Sequence, residues 1–331
     1  MTQDNPGEKD GHSEAIAHAD DCVLPFSTVK SRALGRLVRL GPLVDEILSQ
    51  HNYPDAVSEV LGQAVAMAAM LGTTLKFDGD LIVQTNTDGA IAMMVVNFET
   101  PGRLRAHASF DADRIAEFEA NADGAGHGAL LGEGYLALTI DPGRGMERYQ
   151  GVVALKGQGL DAAALEYFRQ SEQLPTFVRL AVARHKSRSE AGDGNGWQWR
   201  AGGILVQHVT PVGGLEQNDD QDDFLLGEDD DDWRRVAYLA ETVEDHEILD
   251  PLLAPERLLY RLFHEEGVRA SAARPLEVFC RCSQQRVDSL ISSFKPEELE
   301  DLRDETGDIV VTCEFCNTGY RWQPGAAKPS A

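Results

Sequence analysis

The chain has 331 residues, of which 42% are hydrophobic, so it is long enough for one large domain with a sizeable core and one or two small domains. Its formal net charge of −25 disfavours nucleic-acid binding, because a duplex would repel such an acidic surface. We therefore expect partners that are proteins rather than polynucleotides.

The N-terminal residues are polar and lack the apolar segment of a secretory signal, so we expect a cytoplasmic protein. Their aperiodic composition predicts a disordered tail over residues 1–21. The longest apolar stretch, from Val60 to Leu71, is interrupted by Gly62 and Gln63 and is shorter than the roughly 20 residues that a bilayer demands. We therefore expect no transmembrane span and no membrane partner.

Residues 22–215 carry the signals of a mixed α+β core domain. Apolar residues recur at helical spacing from Asp55 to Leu71, directly after Pro54, which predicts a helix there. Shorter β-like runs are separated by turn signals such as Asp78-Gly79, and they cover 81–85, 90–96, 135–140, 149–155 and 203–208. This order favours an α+β arrangement over regular βαβ units.

Residues 216–232 hold ten carboxylates and no Lys or Arg. Such a block repels itself, so it predicts a solvated acidic loop at a domain boundary. The following segment, 233–274, is expected to be a helical linker with helices over 232–247 and 255–266. The second of these places Pro255 at a first helical position and carries an apolar stripe of Leu258, Leu259, Leu262 and Phe263.

Four of the five cysteines lie in a C-terminal module over residues 275–320, which is followed by a tail over 321–331. Cys280 and Cys282 form a C-x-C pair, and Cys313 and Cys316 form a C-x-x-C pair after thirty intervening residues. Two close thiol pairs joined by one loop can close a tetrahedral four-sulfur site, for which zinc is the favoured ion. We therefore predict that all four cysteines ligate one Zn2+ per chain in the reduced state.

The module has about 45 residues, a size at which a hydrophobic core alone rarely suffices, so the metal should decide whether it folds. Its predicted short helix starts at Pro296-Glu297-Glu298. The same cysteines fit either a permanent structural zinc site or a redox switch. Disulfides between near neighbours would remove the long-range cross-link, whereas crossed pairing, Cys280–Cys316 with Cys282–Cys313, would preserve it, and the spacing leaves both pairings open.

Matches to one family are distributed along the chain. Besides the cysteine motifs they comprise Tyr53-Pro54, LKFDGD at 75–80, ERYQG at 147–151, Tyr167-Phe168, SEQLPT at 171–176, Ala201-Gly202-Gly203 and LFHEE at 262–266. From about Val23 to Tyr320 the chain resembles the thirty-three-kilodalton chaperonin family, whose members are redox-regulated heat-shock holdases. The resemblance implies an N-terminal α+β core, a helical linker and a C-terminal zinc domain.

The resemblance also implies a mechanism without any catalytic residue or enzymatic activity. The reduced, zinc-bound form is expected to be monomeric and inactive. Oxidation is expected to form the Cys280–Cys282 and Cys313–Cys316 disulfides, release zinc and unfold the zinc domain and linker. The active form, expected to be a homodimer, would then hold unfolding client proteins without ATP under oxidative and heat stress and pass them to ATP-driven foldases.

The chain departs from the family pattern in its long N-terminal tail, in a Gly/Ser/Asp-rich insertion over 185–199 and in its acidic block. Enzyme motifs are incomplete: His264-Glu265-Glu266 lacks the second histidine of a metalloprotease, and Cys22 has no sequence-local base. Two hypotheses from other classes stay open. A zinc-ribbon interaction module would bind partners equally well when reduced, and a thiol-disulfide oxidoreductase would use the C-x-x-C pair, which here lacks a thioredoxin-like context.

Overall fold

The computed structural model describes residues 20–121, 126–143, 146–186, 196–208, 231–304 and 306–323. Nearly all of the predicted N-terminal tail, most of the acidic block and of the 185–199 insertion, and residues 324–331 lie outside these ranges. Among the described residues, helices and strands alternate irregularly, and the predicted α+β fold class is confirmed.

Two six-stranded sheets form the core. The strands of the first half of the chain are β1 (Cys22–Thr28), β2 (Ala33–Leu40), β3 (Asp80–Thr87), β4 (Ile91–Glu99), β5 (Arg103–Phe110), β6 (Glu133–Asp141) and β7 (Tyr149–Lys156). They are followed by β8 (Thr176–Lys186), β9 (Trp197–His208), β10 (Val268–Ala270), β11 (Arg274–Pro275) and β12 (Glu277–Val278). The first sheet has the order β10-β1-β2-β9-β8, with β11 also on β1, and the second has the order β12-β5-β4-β3-β6-β7. The five predicted β runs are confirmed as β3, β4, β6, β7 and β9, although β4 begins at Ile91.

The helices of the core are α1 (Pro42–Ser49), α2 (Asp55–Gly72), α3 (Ala112–Asn121) and α4 (Leu160–Tyr167). The predicted helix is confirmed as α2, and 15 of its 18 residues are buried. It is apolar on all sides because it lies between the two sheets, in contact with β9 and β8 on one side and with β4 and β5 on the other.

Three helices come next among the described residues, and the first begins inside the predicted acidic block: α5 (Asp231–Glu241), α6 (Asp245–Leu249) and α7 (Pro255–Phe263). The prediction of one helix over 232–247 is wrong, because the chain leaves the helix after Glu241. A capping box then starts α6, in which the amide of Glu244 donates to the carboxylate of Glu247 over 3.0 Å. The second predicted helix is confirmed from Pro255, but it ends at Phe263 and continues as a 3-10 turn over His264–Glu266.

The linker helices α5 to α7 cover the outer face of the first sheet. The residues that meet there form one apolar cluster: Leu24, Phe26, Ala33, Leu37, Ala181, Ile204 and Val206 from the sheet, and Trp233, Val236, Ala240, Val243, Ile248, Leu258, Leu259, Leu262 and Phe263 from the helices and the residues joining them. The apolar stripe predicted on α7 is therefore a buried face, as expected.

The chain then reaches the cysteine module along the edges of both sheets. β10 and β11 pair with β1 of the first sheet, and β12 runs parallel to β5 of the second. The module contains α8 (Gln284–Ile291), α9 (Pro296–Glu300) and a hairpin of β13 (Ile309–Thr312) and β14 (Gly319–Trp322). The predicted helix start at Pro296 is confirmed, whereas α8 was not predicted. No helix among the described residues is long and apolar enough to cross a membrane.

Candidate metal centre

The four cysteines of the module converge on one point. Cys280 and Cys282 lie in the extended segment between β12 and α8, and Cys313 and Cys316 lie in the turn that joins β13 to β14. Two backbone hydrogen bonds close this turn, from the amide of Asn317 to the carbonyl of Cys313 and from the amide of Cys313 to the carbonyl of Thr318. Asn317 sits in the left-handed region at φ 53°, which asparagine tolerates well.

The sulfur positions suit a metal ion. All four Sγ atoms lie within 4.8 Å of one another. The Sγ atoms of Cys280 and Cys313 are 3.6 Å apart, and those of Cys282 and Cys316 are 3.2 Å apart, so each short contact joins one thiol pair to the other. A tetrahedral zinc-thiolate site with Zn–S bonds of about 2.3 Å would place its sulfurs about 3.8 Å apart, close to this arrangement. The four cysteines are therefore positioned to bind a metal ion.

Burial and hydrogen bonds shift the pKa values of Cys282 and Cys316 in opposite directions. Burial raises the pKa of Cys282 to about 12, although the hydroxyl of Tyr320 donates to its Sγ over 3.0 Å. Burial also opposes ionisation of Cys316, but hydrogen bonds with the side chain and backbone of Thr318 and with neighbouring thiols outweigh it and lower the pKa of Cys316 to about 7. For the thiols by themselves, Cys316 is thus readier than Cys282 or Cys313 to become a thiolate, which is the form that binds metal and reacts with oxidants.

The apolar core of the module is small. Its buried residues are Val287, Ile291, Leu299 and Ile309, with Val311, Tyr320 and Trp322 packed against them. A cluster of this size buries too little apolar area to hold two helices and a hairpin together on its own. A metal ion bound by the four sulfurs would therefore be the main tie between the segment before α8 and the hairpin after α9.

The residues next to the cysteines dock the module on the core. Arg281, between the first two cysteines, forms ion pairs with Asp80 and Glu99. Phe315, between the other two, lies under the guanidinium of Arg105, whose Cζ is 4.0 Å from the ring centroid, and its carbonyl oxygen is 3.3 Å from Nε2 of His51. These contacts have no signal in the sequence, because the partners lie more than 180 residues away in the chain.

The other candidates from the sequence lie elsewhere. Cys22 is in β1 and is 6% exposed, and burial raises its pKa to about 11, so it is a poor nucleophile. The carboxylate of Glu266 accepts from Nε of Arg235 over 2.5 Å, which ties the turn after α7 to α5. His264-Glu265-Glu266 therefore belongs to the linker packing.

Comparisons with known proteins agree with this architecture. A family model described as "Hsp33 protein" matches residues 21–323. The 33 kDa chaperonin of Caulobacter vibrioides (strain NA1000 / CB15N) is 41% identical over 308 residues, which cover 93% of this chain and 96% of that protein. The 33 kDa chaperonin of Escherichia coli O7:K1 is 36% identical over 286 residues, covering 86% of each chain.

A crystal structure of the 33 kDa chaperonin (heat shock protein 33 homolog) from Thermotoga maritima has the same fold. It aligns with a TM-score of 0.67 at 21% sequence identity, over 92% of this chain and 95% of that one. The resemblance inferred from the sequence is confirmed. Since the family model matches most of the chain and relatives above 30% identity match along most of their own length, the chain belongs to the Hsp33 family.

Proposed function

We propose that this protein is a redox-regulated, ATP-independent holdase that binds unfolding proteins after its four clustered cysteines are oxidised. One observation carries the proposal. Thiols from two segments thirty residues apart meet at one centre in a module with a very small core, which docks beside a linker that covers an apolar sheet face. Its relatives are named 33 kDa chaperonins, which supports a chaperone rather than an enzyme.

We infer that Cys280, Cys282, Cys313 and Cys316 hold one zinc ion per chain in the reduced state. Closed structural zinc sites are commonly built from cysteine sulfurs, and the sulfur–sulfur distances in this module fit a tetrahedron. When bound, zinc would keep the sulfurs ionised and would supply about 10–16 kcal/mol of apparent binding free energy, which in so small a module is folding free energy.

Oxidation converts the four thiols into two disulfides. Formation of each disulfide removes two protons and two electrons from a pair of thiols. One molecule of hydrogen peroxide accepts them and gives two molecules of water. We propose the pairing Cys280–Cys282 and Cys313–Cys316, as in the family pattern. Each bridge then lies within one segment, so no bond crosses the gap between the two segments and the module loses its main tie.

Two short sulfur contacts in the folded module join the two segments, between Cys280 and Cys313 and between Cys282 and Cys316. The proposed pairing therefore requires the sulfurs to rearrange as the module opens. Peptide mapping of the oxidised protein by mass spectrometry tests this step. Crossed bridges as the main product would overturn the unfolding switch, because they would keep the two segments joined.

Opening of the linker would expose the surface that holds clients. The apolar cluster between the first sheet and α5 to α7 is covered in the folded protein, and its sheet residues would face solvent once these helices detach. The helices are also held by polar contacts: Arg39, 1% exposed, donates to the carbonyls of Glu247 (3.0 Å) and Leu253. Unfolded chains expose apolar segments of their own, so the uncovered sheet offers them a complementary surface.

The proposal includes the cellular setting. The active form works in the cytoplasm as a homodimer under oxidative and heat stress, without catalysis, and it delivers its clients to ATP-driven foldases. None of these steps requires nucleic acid or a membrane.

Light scattering of a heat-unfolding client tests the function. The reduced, zinc-loaded protein and the peroxide-treated protein are each mixed with the client without ATP. We expect the oxidised form alone to suppress aggregation, a Cys282→Ser/Cys316→Ser variant to lose this dependence on oxidant, and Cys22→Ala to behave as the native chain. Equal suppression by both forms of the native chain would favour a zinc-ribbon interaction module instead.

A further inference from the structure

A row of carboxylates crosses the second sheet beside the metal centre. Asp80, at the start of β3, is the register partner of both Glu99 at the end of β4 and Asp141 at the end of β6. Directly opposed residues on neighbouring strands project from the same face, so the three side chains are adjacent. Like charges in such positions repel, and the row therefore needs cations.

Arg281 supplies the positive charge for two members of the row. Its Nη2 donates to Asp80 Oδ1 over 2.6 Å and to Glu99 Oε2 over 2.7 Å, and its Nε donates to Glu99 Oε2 over 2.9 Å. The Arg281 side chain is 32% exposed and the two carboxylates are 22% and 27% exposed, so the pairs are partly shielded from water. Asp141 is paired with Arg148 instead, over 2.7 Å.

The position of Arg281 in the chain gives these ion pairs their significance. It is the single residue between Cys280 and Cys282, whose sulfurs must approach to about 2.05 Å to form a disulfide. With one residue in the loop, that approach bends the backbone at Arg281 itself. The side chain cannot keep its fixed position between Asp80 and Glu99 while its own backbone reorients.

We propose that Arg281 is a positioning residue through which the core restrains oxidation of the Cys280/Cys282 pair, an inference that rests on the proposed redox function. The carboxylates of Asp80 and Glu99 hold Arg281 in the conformation of the open pair and so slow closure of the disulfide. Closure in turn breaks the ion pairs and releases the module from the second sheet. At equilibrium the ion pairs disfavour the disulfide by the same free energy by which the disulfide disfavours the ion pairs.

Closure itself is a balanced reaction. The thiols of Cys280 and Cys282 lose two protons and two electrons as the S–S bond forms, and hydrogen peroxide accepts them as its O–O bond breaks, giving two waters. The core carboxylates take no part in this chemistry. They act only on the position of Arg281.

A purely electrostatic role for Arg281 predicts the opposite result. A cation beside two thiols favours their thiolate form, so its removal would slow oxidation. Removal of the restraint would speed it. The sign of the change in Arg281→Met therefore separates the two roles. Replacing Asp80 and Glu99 removes the restraint and leaves the cation in place, but it also removes two negative charges that disfavour thiolates, so its acceleration supports the restraint only together with that of Arg281→Met.

The experiment follows both disulfides in the zinc-loaded, full-length protein under dilute hydrogen peroxide, by acid quenching, alkylation and mass spectrometry. Arg281→Met and the double variant Asp80→Asn/Glu99→Gln are compared with the native chain. Arg169→Met is the control, because it removes a similar two-bonded pair with Glu166 on the core, away from the module. The initial rate of Cys313–Cys316 closure in the same molecules is the internal reference.

We expect both test variants to speed the initial closure of Cys280–Cys282 about 3- to 10-fold relative to Cys313–Cys316, as the loss of a partly shielded ion pair implies. Hydrogen exchange of the Phe279 amide, which donates to the Leu104 carbonyl, should rise already in the reduced state. Combining the two variants should add nothing further. Unchanged or slower closure, equal acceleration of both disulfides, or additive effects would overturn the proposal.

This readout needs no client protein. If closure accelerates as expected but the oxidised protein fails to suppress aggregation, the holdase function is wrong and the restraint stands. If the native chain is a switched holdase but the variants close at the native rate, the restraint alone is wrong.

Discussion

The ring of Phe263 in α7 stacks on the ring of Phe26 in β1, with the centroids 5.4 Å apart and the planes inclined by 25°. Both side chains are buried, at 0% and 3% exposure. Gly35 in β2 makes room for the stack, because a Cβ on that residue would lie 2.1 Å from Cζ of Phe26. The last linker helix is therefore fixed to the first sheet by an aromatic contact with β1, at a site where the neighbouring strand β2 provides no side chain.

Removing the ring of Phe263 should open the linker without oxidation. Phe263→Ala leaves a cavity between α7 and β1 and should cost about 3–5 kcal/mol of linker stability. We expect the reduced variant to suppress client aggregation and to show faster hydrogen exchange in α5 to α7. Tyr260→Ala is the control on the same helix, because Tyr260 is 64% exposed. A reduced Phe263→Ala protein with native exchange rates would show that the stack does not hold the linker.

Gly202 should be required for α6 to lie on β9. A Cβ there would be 2.6 Å from Cγ2 of Ile248 and 2.9 Å from the carbonyl oxygen of Val38. Gly202→Ala must therefore displace α6, at a cost of about 1–3 kcal/mol, and should raise proteolytic cleavage between α5 and α7 in the reduced protein. Gly126→Ala is the matched control, since a Cβ at Gly126 meets nothing within 4 Å. Equal cleavage of the two variants would contradict this packing.

Removal of the metal should unfold the module and spare the sheets. Treatment of the reduced protein with a zinc chelator should abolish amide protection in β13 and β14 and in α8, because the four-residue apolar core cannot maintain them. Amides of β3 and β4, which lie inside the second sheet, should stay protected. Retained protection in the β13–β14 hairpin after complete removal of zinc would mean that the module folds without it.

Docking of the module should weaken in mild acid through His107. Burial, and then the neighbouring His51, lower the pKa of His107 below its ordinary 6.5, and Glu314 only partly opposes this. Phe315 of the module contacts the His107 ring, with the centroids 6.3 Å apart, so undocking removes part of this burial and the undocked form binds the proton more tightly. The contribution to docking is complete above pH 6.5 and is lost as the pH falls through the lowered pKa. Protonation would also add a cation beside His51 and close to Arg105, which already lies over Phe315.

The measurement is hydrogen exchange around Phe315 in the reduced, zinc-loaded protein at pH 7.5 and 5.5, corrected for the intrinsic pH dependence. We expect protection to fall at the lower pH and His107→Gln to remove most of that difference. His246→Gln serves as control, since the side chain of His246 is 74% exposed on α6. If His107→Gln keeps the native pH dependence, other groups, including the thiols, are responsible.

Local patterns were sufficient for much of the fold. The α2 helix was predicted because its apolar residues recur at helical spacing, and β3 and β6 because turn residues bound short apolar runs. The break after Glu241 was missed, because Val243 continues the helical apolar pattern. In the structure the helix has already ended there, and the capping box at Glu244 starts the next one. The two-residue strands β11 and β12 have no sequence signal of their own, and tertiary contact alone makes them strands.

The same division holds at the metal centre. The four cysteines were predicted together because metal ligation depends on residue type and spacing, both of which are visible in the chain. Arg281 was not among the predicted site residues. Its partners, Asp80 and Glu99, are ordinary surface acids in the sequence, and only the register of β3 and β4 places them side by side. Contacts that depend on sheet register could not have been found without the structure.

Residues 268–278, which lead from the linker helices to the cysteine module, pair with the edges of both sheets. The three residues of β10 and the two residues of β11 pair with β1, and the two residues of β12 pair with β5. A paired segment separates first at the end that is pulled, so a module pulled away from the core would detach from β5 first and from β1 only afterwards. The second sheet would lose its edge strand before the first sheet does, which gives the opening of this protein a direction.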